Sequence, residues 1–295
     1  CGNAALGGCN WLVEDGHASG LCLACRHNVT IPNLSRPQNA ENWQRIELAK
    51  RYLIYSLVRF GLPLVTRSDA PETGLGFSFL SDEDELGAPV LTGHANGLIT
   101  LNIAEASDAE REARRVSLGE PFRTLIGHFR HEVGHYYWDR LVRDRHDEER
   151  FRAIFGDERE DYAEALRRNY AEGPAPGWEQ SHVSAYAASH PWEDFAETWA
   201  HYFHIVDALD TADAFGLRTR PETEVAELAL TTTFDSYRAI NVQVLCDAWV
   251  PLTIAINSIN RSMGQRDLYP FVLSAPVLGK LQYIHDIVHQ QPVAG

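Results

Sequence analysis

At 295 residues the chain is long enough for one large domain with a small appendage, and its 44% hydrophobic and 23% charged residues are ordinary for a globular protein. A formal net charge of −15 argues against non-specific binding to nucleic acid or to an anionic membrane surface, both of which need a basic face, though it leaves room for a local basic patch. No run approaches the ~20 consecutive apolar residues of a membrane span, and no charged-then-apolar leader is visible.

Four of the five cysteines, Cys1, Cys9, Cys22 and Cys25, fall in the first 25 residues. Cys22 and Cys25 have zinc-knuckle spacing, and Cys1 with Cys9 would complete a tetrahedral four-sulfur site, although seven residues separate this first pair where two to four are usual. Two disulfides are the rival pairing. Crowding all four into one Gly- and Asn-rich segment of a cysteine-poor chain favours metal. His17 and His27 are expected to be exposed loop residues, and Cys246, beside Val244, Leu245 and Trp249, a buried core thiol. A structural zinc-binding segment over residues 1–36 is therefore expected, and an opening on Cys1 and not on Met leaves room for a further segment upstream. A metal-binding core with a C-terminal helical bundle then fills 37–295.

Two prolines mark residues 31–37 as a linker. Trp43, Ile46, Leu53 and Leu57 predict an amphipathic helix over 39–60, stopped by Gly61 and Pro63. Alternation predicts a strand over 75–79, and the acidic run 81–85 reads as a solvated loop. Two further strand-like runs, 89–92 and 97–103, are joined through Asn96-Gly97, a hairpin signal. The edge of such a hairpin can accept an extended peptide by backbone hydrogen bonding.

Next comes His131-Glu132-Val133-Gly134-His135. Two histidines four apart on a helix point the same way, one turn apart, so both can bind one zinc ion. Glu132 stands between them to take a proton from zinc-activated water. Leu125, Phe129 and Val133 recur at helical spacing, and Glu120-Pro121 reads as the helix start. His128 lies near the same face as a neighbour and not a ligand; His146 belongs to a charged surface run.

A catalytic zinc needs a third protein ligand and an open position. The metzincin pattern is excluded, because Trp138 and Leu141 stand where it needs Gly and His. A later helix opening at Pro191 places Trp192, Phe195, Trp199 and Phe203 on an apolar face and Glu193, Glu197, His201 and His204 on the other. Such a helix can present Glu193 to the metal, with Glu197 the alternative ligand; one turn after Glu193, Glu197 could accept a ring N–H from a histidine ligand. His201 and His204 are expected to be structural or rim residues and not ligands. Beyond residue 221 the pattern is helical, with breaks expected at Pro251, Pro270 and Pro276.

The His-Glu-x-Gly-His-Tyr-Tyr-Trp stretch ending at Trp138, the later Pro191-Trp192-Glu193-Asp194-Phe195-Ala196-Glu197-Thr198-Trp199 and the leading cysteines together resemble bacterial zinc-dependent metallopeptidases with an N-terminal zinc ribbon. The resemblance spans essentially the whole chain. Its active-site part is similar to gluzincins of the anthrax lethal factor kind. That similarity implies Glu193 as third ligand, Glu197 as the acid that orients a histidine, and Tyr186, seven residues before Glu193, as a catalytic tyrosine. The fold expected is α+β: a mostly helical zincin-like core with a small antiparallel sheet, plus the ribbon. The function expected is hydrolysis of peptide bonds, with one catalytic zinc on His131, His135 and Glu193 and one structural zinc on the four cysteines. Glu132 would be general base, and Tyr186 would donate to the oxyanion. The competing expectations are a latent or inactive zincin-fold protein that binds a partner through its ribbon, and hydrolysis of a non-peptide amide. Metal-bound thiolates lead to an expected cytoplasmic location, with a peptide or protein substrate, no membrane and no nucleic-acid partner.

Overall fold

The computed structural model describes residues 1–82, 90, 92–111, 124–222, 225, 228–231 and 234–290. It divides into two compact units, Cys1–Tyr137 and Trp138–Gly295.

In the first unit the cysteine segment forms two one-turn helices, Ala4–Gly7 and Leu23–Arg26, and runs directly into strand β1 (Asn28–Thr30). Helix α1 (Pro37–Arg59) follows, then strands β2 (Gly76–Leu80), β3 (Gly93–Ala95) and β4 (Leu98–Asn102). Pro37 occupies the first turn of α1, so the expected linker ends inside the helix: a residue without an amide N–H costs nothing where that N–H has no intrahelical partner. The sheet order is β1-β2-β4-β3. β1 and β4 both run parallel to β2, and only β3 is antiparallel to β4. The sheet is thus mixed, where an antiparallel one was expected; α1 lies between β1 and β2 in the chain and supplies a crossover, which the strand patterns alone do not reveal.

The hairpin signal holds in place. Asn96 and Gly97 both have positive φ, 47° and 80°, as a two-residue turn that follows the strand twist requires. Its first arm is Gly93–Ala95; Pro89 and Leu91 of the expected arm lie outside the described residues, as do 83–85 of the acidic run and the helix-start signal Glu120-Pro121. Asp82 is tied down: its Oδ2 accepts from Asn102 Nδ2 at 2.9 Å and its Oδ1 from the Val90 amide at 2.6 Å. The core of this unit sets Phe77 and Phe79 of β2 against Phe129, with ring centroids 5.6 and 6.2 Å apart. Phe129 belongs to helix α2 (Leu125–Leu141), which carries the histidine motif. Trp43 of α1 covers Gly7 so closely that a Cβ there would come within 3.1 Å of its ring, which ties the cysteine segment to α1.

The second unit is helical: α3 (Glu148–Phe155), α4 (Tyr162–Glu172), α5 (Pro191–Ala214), α6 (Val242–Ser262) and α7 (Ala275–His289), with a two-stranded antiparallel ribbon of β5 (Arg218–Thr219) and β6 (Leu230–Thr231). α5 is its axis. Phe195, Trp199 and Phe203 are fully buried and stack in succession at 6.0 and 4.8 Å, against α3, α6 and α7. α6 continues through Pro251, where a break was expected, while Pro276 sits in the first turn of α7. α6 is also long and apolar enough, by length and composition, to cross a membrane, with mean hydropathy 1.4 over one 18-residue window. Core helices pass the same test, and Leu245, Trp249 and Leu252 bury one side of it.

Candidate metal centres

The four N-terminal cysteines converge. Their Sγ atoms lie within 4.8 Å of one another, with Cys9 and Cys22 at 3.6 Å and Cys9 and Cys25 at 3.9 Å. Four sulfurs at ~2.3 Å from one zinc stand roughly 3.8 Å apart, so the cluster fits a tetrahedral thiolate site. All four are free thiols, far beyond the ~2.05 Å of a disulfide. A hydrogen bond from the Cys25 thiol holds the Cys22 thiol down to about 5. The segment's local shape explains the convergence: Cys22 caps the one-turn helix that carries Cys25, and its amide donates to Cys1 Sγ at 3.4 Å.

Of the two histidines near the cysteines, His17 is exposed as expected. His27 is not the exposed loop residue expected: it is buried, its Nδ1–H donates to the Leu75 carbonyl at 2.9 Å, and burial pushes its pKa down to about 4. This residue joins the cysteine segment to the sheet and is not in the sulfur cluster.

On α2 the rings of His131 and His135 face each other nearly at right angles, with centroids 4.9 Å apart, as two residues one turn apart should. The helix is fixed from its other side by Phe129 and Val133, both fully buried, and by Tyr137, whose hydroxyl donates to the Pro63 carbonyl at 2.9 Å. His128 is a neighbour and a brace: its Nδ1 lies 2.6 Å from Glu105 Oε2, while Thr92 donates to Glu105 Oε1 at 2.7 Å. His94, on edge strand β3, stacks on His135 at 6.2 Å and accepts from the Gly97 amide through Nε2 at 2.9 Å. Neither Glu105 nor His94 carries a sequence signal; only the sheet brings them to the motif helix.

The second unit supplies the acids. At the start of α5, His190 caps the helix by accepting from the Trp192 amide at 3.1 Å. Glu193 is buried, and Tyr162 donates to its Oε1 at 2.6 Å. One turn on, Glu197 accepts from Ser184 Oγ at 2.7 Å. Burial and the nearby Glu193 carboxylate push the Tyr186 phenol well above its usual range, so it is a hydrogen-bond donor at any ordinary pH. Asp194 faces the interior, where burial raises its pKa to about 7 against the pull of Lys280 Nζ, 2.5 Å away. His201 is structural: its Nδ1 pairs with the Tyr269 hydroxyl at 2.7 Å and its ring packs on Phe271. Tyr162 and Ser184 were not foreseen; they stand 31 and 13 residues before the acids they hold, and no periodicity links them.

Comparison with known proteins agrees with this chemistry. A family model described as "Putative zinc-binding metallo-peptidase" matches residues 39–287, and one described as "zinc-ribbon domain" matches residues 1–36. The chain is 45% identical over 291 residues to a protein of Mycobacterium bovis and to one in each of two strains of Mycobacterium tuberculosis, all three named as uncharacterized proteins; the match covers 98% of this chain and 82% of each of them. No solved structure matches. With a ribbon match ahead of a peptidase match that spans most of its length, the chain belongs to the zinc-binding metallo-peptidase family.

Proposed function

We propose that the chain is a zinc-dependent peptidase of the gluzincin kind, with His131, His135 and Glu193 as the donor set of one catalytic zinc. The observation that carries this reading is the motif helix itself. It presents two imidazoles one turn apart with Glu132 beside them, on a helix braced from behind by Phe129, Val133 and Tyr137. Two imidazoles and a carboxylate are the donor chemistry of catalytic zinc sites that keep a fourth position open. A zinc ion bound there supplies Lewis acidity, lowering the pKa of water towards about 7 and polarising the scissile carbonyl.

The remaining steps belong to this chain's own residues. Glu132 takes the proton of the attacking water and later delivers it to the leaving amine. Tyr186, kept protonated by its surroundings, donates to the oxyanion of the tetrahedral intermediate. Glu197, anchored by Ser184, accepts the ring N–H of a histidine ligand and so fixes its tautomer. The substrate is a peptide or protein, laid as an added strand along the edge of β3. Cys1, Cys9, Cys22 and Cys25 hold a second, structural zinc. The expectation that the cysteines hold metal and not disulfides supports a cytoplasmic protein, with the ribbon surface open to a protein partner.

The test is cleavage of a diverse peptide mixture by the zinc-loaded protein, with Glu132→Gln as control. The variant is expected to keep its metal and to lose roughly 10²–10⁴-fold in rate, the usual worth of a general base. Loss of zinc from this variant would falsify the assignment of Glu132. Silence from the zinc-loaded parent would favour the latent, partner-binding reading.

A further inference from the structure

The acid proposed as zinc ligand does not stand alone in its unit. Glu193 is 1% exposed, and a carboxylate so placed needs partners for its oxygens. The Tyr162 hydroxyl lies 2.6 Å from Oε1, within the range of about 2.5–2.7 Å for an O–H donor to a carboxylate. Asp161 caps α4 through the Glu164 amide at 3.0 Å, which starts the helix at Tyr162 and aims its first side chain. His190 then ties the two helix starts together: Nδ1 accepts from the Trp192 amide at 3.1 Å, which leaves Nε2–H to donate to the Glu160 carbonyl at 3.2 Å. The Tyr162 ring packs edge-on against His190 and Trp192, with centroids 5.3 and 5.7 Å away. Residues 160–162 and 190–193 are therefore cross-braced, and the phenol is the point at which that brace touches the carboxylate.

We infer that Tyr162 is the positioning residue of the metal site: its hydroxyl holds one oxygen of Glu193 so that the carboxylate meets zinc through the other, in a single orientation. This rests on Glu193 being the third ligand. The inference gives the two tyrosines near this acid separate work. Tyr162 is bonded to the carboxylate and is a positioning group, whereas Tyr186 is the phenol proposed to reach substrate. Outer hydrogen bonds of this kind are worth roughly 10–100-fold in metal affinity. Phenylalanine at 162 would keep the packing on His190 and Trp192 and remove only the hydrogen bond.

The experiment measures metal binding on the full chain, independently of turnover, by zinc competition against a chromophoric chelator and by the visible spectrum of the cobalt(II)-substituted protein. Thiolate charge-transfer bands report the cysteine site; both sites give ligand-field bands, and the weaker ones at shorter wavelength, separated by difference from those of the thiolate site, report the histidine site. Tyr162→Phe is expected to weaken the histidine site roughly 10–100-fold and to shift its ligand-field bands at saturating cobalt. The thiolate bands and the melting temperature of the metal-free protein should stay unchanged. Glu193→Ala runs beside it. If Glu193→Ala keeps full affinity at the histidine site, the ligand assignment itself falls, and this inference with it. If Glu193→Ala loses the metal while Tyr162→Phe binds as the parent does, the inference alone is overturned. Weakening that merely follows a lowered melting temperature, with unshifted ligand-field bands, would also overturn it, since that pattern belongs to a packing residue.

Discussion

Lys50 Nζ lies 2.7 Å from Glu47 Oε1, one turn apart on α1, and neither side chain reaches solvent. Asn28 Nδ2 donates to the same carboxylate at 2.8 Å, Cys25 Sγ stands 4.0 Å from its other oxygen, and Lys50 also reaches Asn28 Oδ1. The ammonium is held over the Phe77 and Phe79 rings, at 5.7 and 5.5 Å. One buried ion pair thus joins the cysteine segment, strand β1, helix α1 and the aromatic core of the sheet. Burial lowers the Lys50 amine below its ordinary range, and the Glu47 charge opposes that in part.

Removing one partner of such a pair leaves the other as an uncompensated buried charge. Lys50→Met is expected to cost the first unit about 3–5 kcal/mol in denaturant unfolding. Adding Glu47→Gln, which keeps an acceptor for Asn28, should recover most of that loss, because the lone charge goes with it. A single variant within about 1 kcal/mol of the parent would show that water reaches this pair in solution.

Acid sensitivity of the second unit follows from its buried histidines. His285 Nδ1 pairs with the Tyr202 hydroxyl at 3.0 Å, and burial, with the neighbouring His289, lowers its pKa from 6.5 to about 4. Between those values the unfolded chain binds the extra proton and the folded chain does not. The stabilisation of the neutral ring is therefore complete above about 6.5 and is lost as pH falls towards 4. His201, lowered to about 4 by burial, adds to the same slope. His285→Asn should reduce the dependence of unfolding free energy on pH in this window by up to ~1.4 kcal/mol per pH unit, one proton's worth. Urea titrations at several pH values read that slope, and an unchanged slope would mean that His285 titrates normally in the fold.

Much of this was legible in the sequence where chemistry and periodicity coincide on one element. His131, Glu132 and His135 share one helix, Cys22 and Cys25 share one turn, and Asn96-Gly97 carries its own backbone requirement, so local spacing suffices for each. The acid helix was legible for the same reason, since Pro191 and the aromatic repeat from Phe195 to Phe203 mark both its start and its buried side. What escaped was long-range. Parallel pairing of β1 with β2 depends on where α1 returns the chain, and no strand pattern encodes that. His27 looked like loop because its neighbours are polar, yet its ring is buried against β2 through the Leu75 carbonyl. Tyr162, Ser184 and Glu105 hold other side chains across many residues, and an isolated Tyr, Ser or Glu carries no periodic signal at all.

The cysteine cluster makes the most direct demand on metal. Strand β1 begins three residues after Cys25, and its neighbour His27 anchors to Leu75 beside β2, so an ion shared by Cys1, Cys9, Cys22 and Cys25 would fasten the start of the chain to one edge of the sheet. Without it, three buried sulfurs pack against one another, linked only by weak thiol hydrogen bonds such as that from Cys25 to Cys9. Binding at four-sulfur sites of this kind is folding free energy, on the order of 10 kcal/mol in zinc-finger peptides. Cys22→Ser is therefore expected to purify with one zinc fewer per chain than the parent and to melt well below it, whereas Glu132→Gln keeps both the metal and the melting temperature. Elemental analysis beside calorimetry decides the matter. Equal zinc in parent and Cys22→Ser, together with four thiols that resist alkylation until a reductant is added, would instead establish the two-disulfide pairing and move the protein to an oxidising compartment.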